Sequence, residues 1–237
     1  MDKTVDILIV GGGISGLTLA NLLVHSNKDV KFRVTIFEAQ TVSQRNKASV
    51  GGGIGLWPPS QEVLSNIPNY NQVMEQVAQP MPNPSYRDSQ GRVLAKAPDD
   101  FNDHFPVLAL NRNDLINLLS DGLQNRDDVQ FVASQKINQY KRDNDKVIIE
   151  TDDERVFQGD VLVACDGIHS KIRNGLMSEL ALPPVNETDL GYTYFRANTE
   201  IPKDSNRKWW SAAFETWGSY QSKENGSHEI STLAIFR

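Results

Sequence analysis

The chain has 237 residues, enough for one large or two small domains with a real core. Apolar residues make up 39% and charged residues 23%, and the net charge of −6 gives no electrostatic reason to expect nucleic acid or an anionic membrane as a partner. The single cysteine, Cys165, cannot make an internal disulfide, which suits a reducing, cytoplasmic compartment, and no stretch approaches the ~20 apolar residues of a membrane span.

Val5-Asp-Ile-Leu-Ile-Val10 reads as a strand buried on both faces. It is short and leads into glycines, so it is not a signal peptide. Gly11-Gly-Gly-Ile-Ser-Gly16 follows and fits G-x-G-x-x-G at Gly11, Gly13 and Gly16. Over 15–26 the period changes to that of a helix, with Leu19, Leu22 and Leu23 on one face. A second strand, Arg33 to Phe37, ends at Glu38. Strand, glycine turn, helix, strand and terminal acid in register predict a dinucleotide site. Gly11 makes the tight turn, Gly13 leaves room for a pyrophosphate, and Gly16 lets the helix approach the strand. Helix amides hold the phosphates. Glu38, 22 positions after Gly16 (38 − 16), accepts from the ribose hydroxyls and repels a 2′-phosphate, so the ligand is FAD or NAD rather than NADP.

Thr41 to Ala48 reads as a loop. Val50-Gly-Gly-Gly-Ile-Gly-Leu56 has two readings, a flexible turn before the helix starting near Pro58, or backbone drawn close to a flat cofactor. Helical patterns follow over Gln61 to Ile67 and Tyr70 to Val77. Ser85 to Ala97 reads as a hairpin turning at Ser89-Gln-Gly91. Val107 to Leu110 is a brief strand before a helix with Asp114 in its first turn. Arg112 at its mouth is either a solvated surface charge or a ligand contact. From Val129 the chain reads as a β meander up to Cys165, and Val161 to Cys165 is a further buried-type strand, expected beside Val5–Val10 and Val34–Phe37 in one parallel sheet. Asp166-Gly-Ile-His-Ser-Lys-Ile-Arg173 then stands where open α/β sheets bind ligands, with Asp166 a helix N-cap or a site residue. His169 reads as a turn residue, and no metal-ligand spacing is present.

The Gly11–Gly16 turn with Glu38, Arg112 ahead of Leu115, and the Asp166–Arg173 stretch together resemble the FAD-dependent aromatic hydroxylases, nearest their salicylate-hydroxylase-like members. Gly51–Leu56 followed by Trp57-Pro58 adds to the likeness. The resemblance implies a Rossmann-like α/β FAD-binding domain over 1–181, with a mostly parallel sheet and a β meander. A substrate-domain excursion is expected near 80–97, and a partial antiparallel substrate domain over 182–237.

It also implies roles. Gly11, Gly13 and Gly16 would hold the FAD pyrophosphate, and Glu38 the adenosine ribose. Gly51, Gly53 and Ile54 would pass backbone along the cofactor. Arg112 would contact its ribityl and phosphate region, and the backbone near Ile137 would border the adenine. Asp166 would serve both FAD and the NAD(P)H that reduces it. Arg196 would line the substrate side of the flavin. The reaction implied is hydroxylation of a small aromatic substrate with NAD(P)H and O₂ through a flavin C4a-hydroperoxide, with an epoxidase of the same fold as the alternative. The family's second Gly-Asp motif is not found before Arg237. The chain is therefore also expected to be a truncated product, an FAD-binding fragment without turnover of its own.

Overall fold

The computed structural model describes residues 4–25, 29–41, 44, 52–81, 83–88, 92–104, 106–189, 191, 214–218 and 230–234. Contacts divide the chain into two units. The first comprises Met1–Val50, Asn66–Tyr70 and Leu115–Arg196; the second comprises Gly51–Ser65, Asn71–Asp114 and Ala197–Arg237.

The first unit begins with β1 (Thr4–Val10), α1 (Ile14–His25) and β2 (Lys31–Glu38). The second unit contributes β3 (Gly53–Leu56), α2 (Pro58–Leu64), β4 (Gln79–Pro80), β5 (Ser85–Asp88), β6 (Val93–Lys96), α4 (Phe101–His104) and β7 (Leu108–Asn111), with α3 (Tyr70–Val77) between α2 and β4. Helix α5 (Arg112–Asp121) follows. The chain then runs through β8 (Val129–Ala133), β9 (Ile137–Asp143), β10 (Lys146–Thr151), β11 (Val156–Gly159), β12 (Val161–Ala164) and α6 (Lys171–Glu179). Strands β13 (Phe214–Gly218) and β14 (Ile230–Ala234) belong to the second unit.

The first unit is built on a parallel sheet of order β12-β1-β2-β8. Ile7 to Val10 pair with Val161 to Ala164 on one side and with Val34 to Phe37 on the other. The three strands expected to be neighbours are therefore neighbours, and the fold is the mixed α/β class expected. Ile7, Leu8, Ile9 and Val10 are all buried, which explains why β1 reads as a continuous apolar run instead of an alternating one.

One expectation changes. Val129–Ala133 is not the first strand of the meander; it pairs parallel to β2 through Val34↔Val129 to Glu38↔Ala133. It follows a helix, and a strand returning from a helical crossover lies parallel to its neighbour. The meander proper is β9-β10-β11. On α1, the buried residues are Gly16, Leu17, Ala20 and Asn21, while Leu19, Leu22 and Leu23 are only half-buried. Small residues bring a helix axis closer than leucines do, so the tightest face is not the most apolar one.

The meander packs on the sheet through Leu8, Val10, Phe37, Val132, Ile137, Ile149 and Ile172, with Tyr140, Phe157 and Leu162 around them. Phe37 and Phe157 meet edge to face at 4.8 Å. At the amino end of the sheet, Arg33 grips Asp6 with two bonds of 2.7 Å. Asp160 accepts from the Asp6 amide at 2.8 Å and from Lys146 Nζ at 2.7 Å.

Within the second unit, β3-β7-β4 forms one sheet and β14-β13-β5-β6 another. Strands β5 and β6 form the expected antiparallel pair, with an irregularity at Tyr86/Arg87. The turn expected at Ser89–Gly91 lies outside the described residues. Strand β13 pairs parallel with β5 and antiparallel with β14.

Candidate dinucleotide site

The carboxyl ends of β1, β2 and β12 converge on the glycine turn. Gly11 has φ +109°, and a Cβ there would lie 2.2 Å from the Cys165 carbonyl oxygen. Only glycine permits both that backbone conformation and that approach. The Gly11 amide donates to Phe37 O at 2.8 Å, and the Cys165 amide to Val10 O at 2.7 Å, so the turn is bound to the strand on each side. A Cβ on Gly16 would sit 2.0 Å from Gly11 O, which is the close helix–strand contact expected of the third glycine. Among the described residues, nothing lies within 4 Å of a Cβ built on Gly13. Leu17 N donates to Gly13 O at 3.0 Å. The amides of Ile14, Ser15 and Gly16 therefore open the helix without α-helical partners.

Glu38, at the end of β2, bends back over this turn. Its Oε2 accepts from the Gly12 amide at 2.9 Å and its Oε1 from the Gln40 amide at 2.8 Å. An ionised carboxylate has about four lone-pair positions, so two acceptor sites remain for hydroxyls. A Cβ on Gly12 would collide with Glu38 and with Phe131 Cζ, each at 3.1 Å. Phe131 of β8 thus presents a partly exposed ring beside the carboxylate. The sequence marks it only as a strand residue. An open floor at Gly13, donors at the start of α1 and a carboxylate with spare acceptor sites fit a dinucleotide.

The Asp166 turn borders Gly11 through Cys165. Asp166 Oδ1 accepts from Ser170 Oγ at 2.6 Å, and Oδ2 from the Lys171 amide at 2.8 Å. The N-cap of α6 is Ser170, whose Oγ accepts from Arg173 N at 3.0 Å. Asp166 reaches the same helix end from four residues earlier. Ser170 is 3% exposed, and a serine directly ahead of the helical stretch that starts at Lys171 is the sequence signal for it. Arg173 Nη2 donates to Ile168 O at 2.7 Å and closes the turn. Burial pushes the Cys165 thiol above its ordinary range, and the Asp166 carboxylate adds to it, so this thiol stays protonated near neutrality. His169 pairs with Glu187. A cleft of about 670 Å³ runs beside β12 and α6, lined by Val161 to Ala164, Asp166 and Arg173 but by none of Gly11 to Gly16 or Glu38.

Ile137 is 4% exposed, its side chain inside the core between meander and sheet. In the second unit, Gly53 and Ile54 pair with Asn111 and Leu110, and the Arg112 amide donates to Gly52 O at 3.0 Å. Asn111 Oδ1 accepts from the Asn113 amide at 2.9 Å and so caps α5, whose first residue is Arg112. The expected residues therefore fall into two groups, one per unit. Gly51 and Arg196 lie outside the described residues. Among the described residues, no group of His, Cys, Asp and Glu could hold a metal ion, and no helix is long and apolar enough to cross a membrane.

Among curated proteins, the FAD-dependent monooxygenase adrH of Penicillium rubens is 25% identical over 178 residues, covering 70% of this chain and 35% of that protein. The FAD-dependent monooxygenase paxM of Penicillium paxilli is 28% identical over 170 residues, 70% of this chain and 34% of its own length. The chain thus spans about a third of the length of the curated relatives it matches. The crystal structure of CtdE in complex with FAD and a substrate superposes with a TM-score of 0.60 at 19% identity, over 72% of this chain and 39% of that one, a likeness of fold. The family model described as FAD binding domain matches residues 4–183. With that match running from β1 past α6, the chain belongs to the FAD-binding domain family, and FAD is its cofactor.

Proposed function

We propose that this chain is the FAD-binding part of a monooxygenase that uses NAD(P)H and O₂ to hydroxylate a small aromatic substrate. The observation that carries the reading is the Gly11–Gly16 turn locked between Phe37 and Cys165, within a stretch that matches the family over residues 4–183. The names of the relatives support the oxygenase chemistry. The resemblance of the Asp166–Arg173 stretch to the aromatic hydroxylases supports the hydroxylase branch.

Bound FAD supplies the redox chemistry, accepting electrons from NAD(P)H and reacting with O₂. The protein holds it in place. The Gly13 floor admits the pyrophosphate to the first amides of α1, and the helix dipole favours its charge. Glu38 accepts from the ribose hydroxyls, with the Phe131 ring alongside. The backbone near Ile137 borders the adenine. By the family resemblance, Gly51, Gly53 and Ile54 would run along the cofactor, and Arg112 would serve its ribityl and phosphate region. Asp166 fixes a turn that would serve FAD and reductant, and Arg196 would line the substrate side of the flavin.

We also propose an FAD-binding domain over 1–181 and the beginning of a substrate domain over 182–237; the sheet shared by β5, β6, β13 and β14 supports the excursion near 80–97. The single cysteine suits a cytoplasmic setting. A second reading, in which this chain holds FAD without completing turnover, is favoured by its spanning about 35% of a relative's length.

The test is to purify the chain, reconstitute it with FAD, and follow flavin absorbance, NAD(P)H oxidation, product and H₂O₂ across a panel of phenols and aromatic acids. Substrate-stimulated oxidation with hydroxylated product supports the first reading. Retained flavin without coupled product supports the second. A chain that takes up NAD and never flavin overturns both.

A further inference from the structure

Helix α1 carries an asparagine where its neighbours are apolar, in Leu17-Thr-Leu-Ala-Asn-Leu-Leu23. Asn21 is completely buried. Its Nδ2 donates to Leu17 O, one turn back in α1, and to Leu119 O of α5, each at 2.8 Å. Among the described residues its Oδ1 has no hydrogen-bond partner. That oxygen faces Gly122, where a Cβ would come within 2.3 Å of it. One turn further along α1, His25 Nε2 lies 3.0 Å from Gly122 O. A carbonyl only accepts, so the imidazole donates there.

An unpaired amide oxygen in a core is a cost that leucine, of similar size, would not carry. What asparagine adds is direction. A hydrogen bond to one carbonyl of a facing helix permits one register, whereas leucine packing tolerates sliding. Buried polar residues set the register of paired helices in this way, at the expense of stability. Ile14, the first residue of α1, stands seven positions before Asn21, about two turns or roughly 10 Å along the axis. The register set at Asn21 is therefore the height at which α1 presents its first amides. The turn there tolerates little movement, since Gly16 is already pressed against Gly11 O.

We propose that Asn21 is a positioning residue of the FAD site, which gives up stability to hold α1 at the height its phosphate-binding turn requires. The proposal rests on the reading of that turn as the FAD pyrophosphate site.

The experiment compares the parent chain with Asn21→Leu and Asn21→Ala in three measurements: the thermal midpoint, the FAD dissociation constant, and the ¹⁵N–¹H shifts of the Gly11–Gly16 amides without FAD. Asn21→Leu is expected to keep or raise the midpoint, to weaken FAD binding about threefold to tenfold, and to move those amide signals. Asn21→Ala, which leaves space instead of filling it, lowers the midpoint yet loses a similar factor in affinity. Affinity then follows the lost hydrogen bond and not the stability. The proposal is overturned if Asn21→Leu binds FAD like the parent with unmoved amides, if affinity falls only in step with the midpoint, or if neither variant folds. A parent chain that fails to take up FAD defeats the reading of the turn, while the amide signals still decide the role of Asn21.

Discussion

The two ends of the parallel sheet are held by different means. At the amino end, charged side chains reinforce a backbone bond from the Asp160 amide to Asp6 O: Arg33 on Asp6, and Lys146 on Asp160, which also accepts from the Asp6 amide. At the carboxyl end, the contacts are backbone against backbone, with Glu38 and Asp166 accepting from amides. Charged side chains tolerate adjustment and screening by salt, whereas backbone pressed on backbone tolerates none. The end that must present amides to a ligand is the one with the least freedom.

Gly16→Ala tests that difference most severely. The added methyl would lie 2.0 Å from Gly11 O, a contact that only displacement of α1 can relieve. It is expected to cost several kcal/mol of stability, about 3 or more, and to abolish measurable FAD retention. Chemical denaturation and flavin content per chain check both. Parent-like flavin content would mean that the turn is more pliant than its packing indicates.

Glu38→Ala should have an intermediate effect. It leaves the Gly12 and Gln40 amides without their acceptor, which is expected to cost about 1–3 kcal/mol, and it weakens FAD binding by roughly tenfold or more. Glu38→Gln, which keeps an acceptor but not the charge, should fall between. Fluorescence titration with FAD and with adenosine measures the ordering, and equal losses for both ligands would place the effect at the ribose.

The smallest effect belongs to the amino end. Asp6→Asn loses the charge that faces Arg33, in a pair that is largely solvent-exposed. The thermal midpoint should fall slightly, and about 1 M salt should remove most of the difference from the parent. The FAD dissociation constant should change less than about twofold, because no cofactor-facing group moves. A tenfold loss would show that the two ends are coupled through β1.

How much of this could be read from the sequence depended on whether the signal was local. Gly11 to Glu38 could be read because turn, helix and acid follow one another along the chain, each with its own residue requirement. The partner of β8 could not, since Val129–Ala133 has the composition of either a meander strand or a parallel one, and only the helix before it decides. The buried face of α1 carries no strong local signal, because leucines advertise burial and Ala20 does not. Asn21 has no local signal either: its amide takes its meaning from Leu119, 98 positions away. For Asp166 the sequence offered cap or ligand, and the geometry uses its carboxylate for the α6 terminus while the turn it shapes abuts Gly11.

The pairing of β1 with β12 bears on how the protein comes into being. Asp6 and Asp160 are 154 positions apart, and the turn at Gly11 is completed by the carbonyl of Cys165. Residues 1–40 carry most of the recognition sequence, yet that segment has no mould to close against until β12 has also left the ribosome. At about 5–20 residues per second, this is an interval of several seconds or more. Through that time β1, with apolar residues on both faces, is an unsatisfied strand in a growing chain. The glycine turn, though synthesised early, is therefore among the later parts to take shape, and mutations in β12 should be felt first in the yield of folded chain.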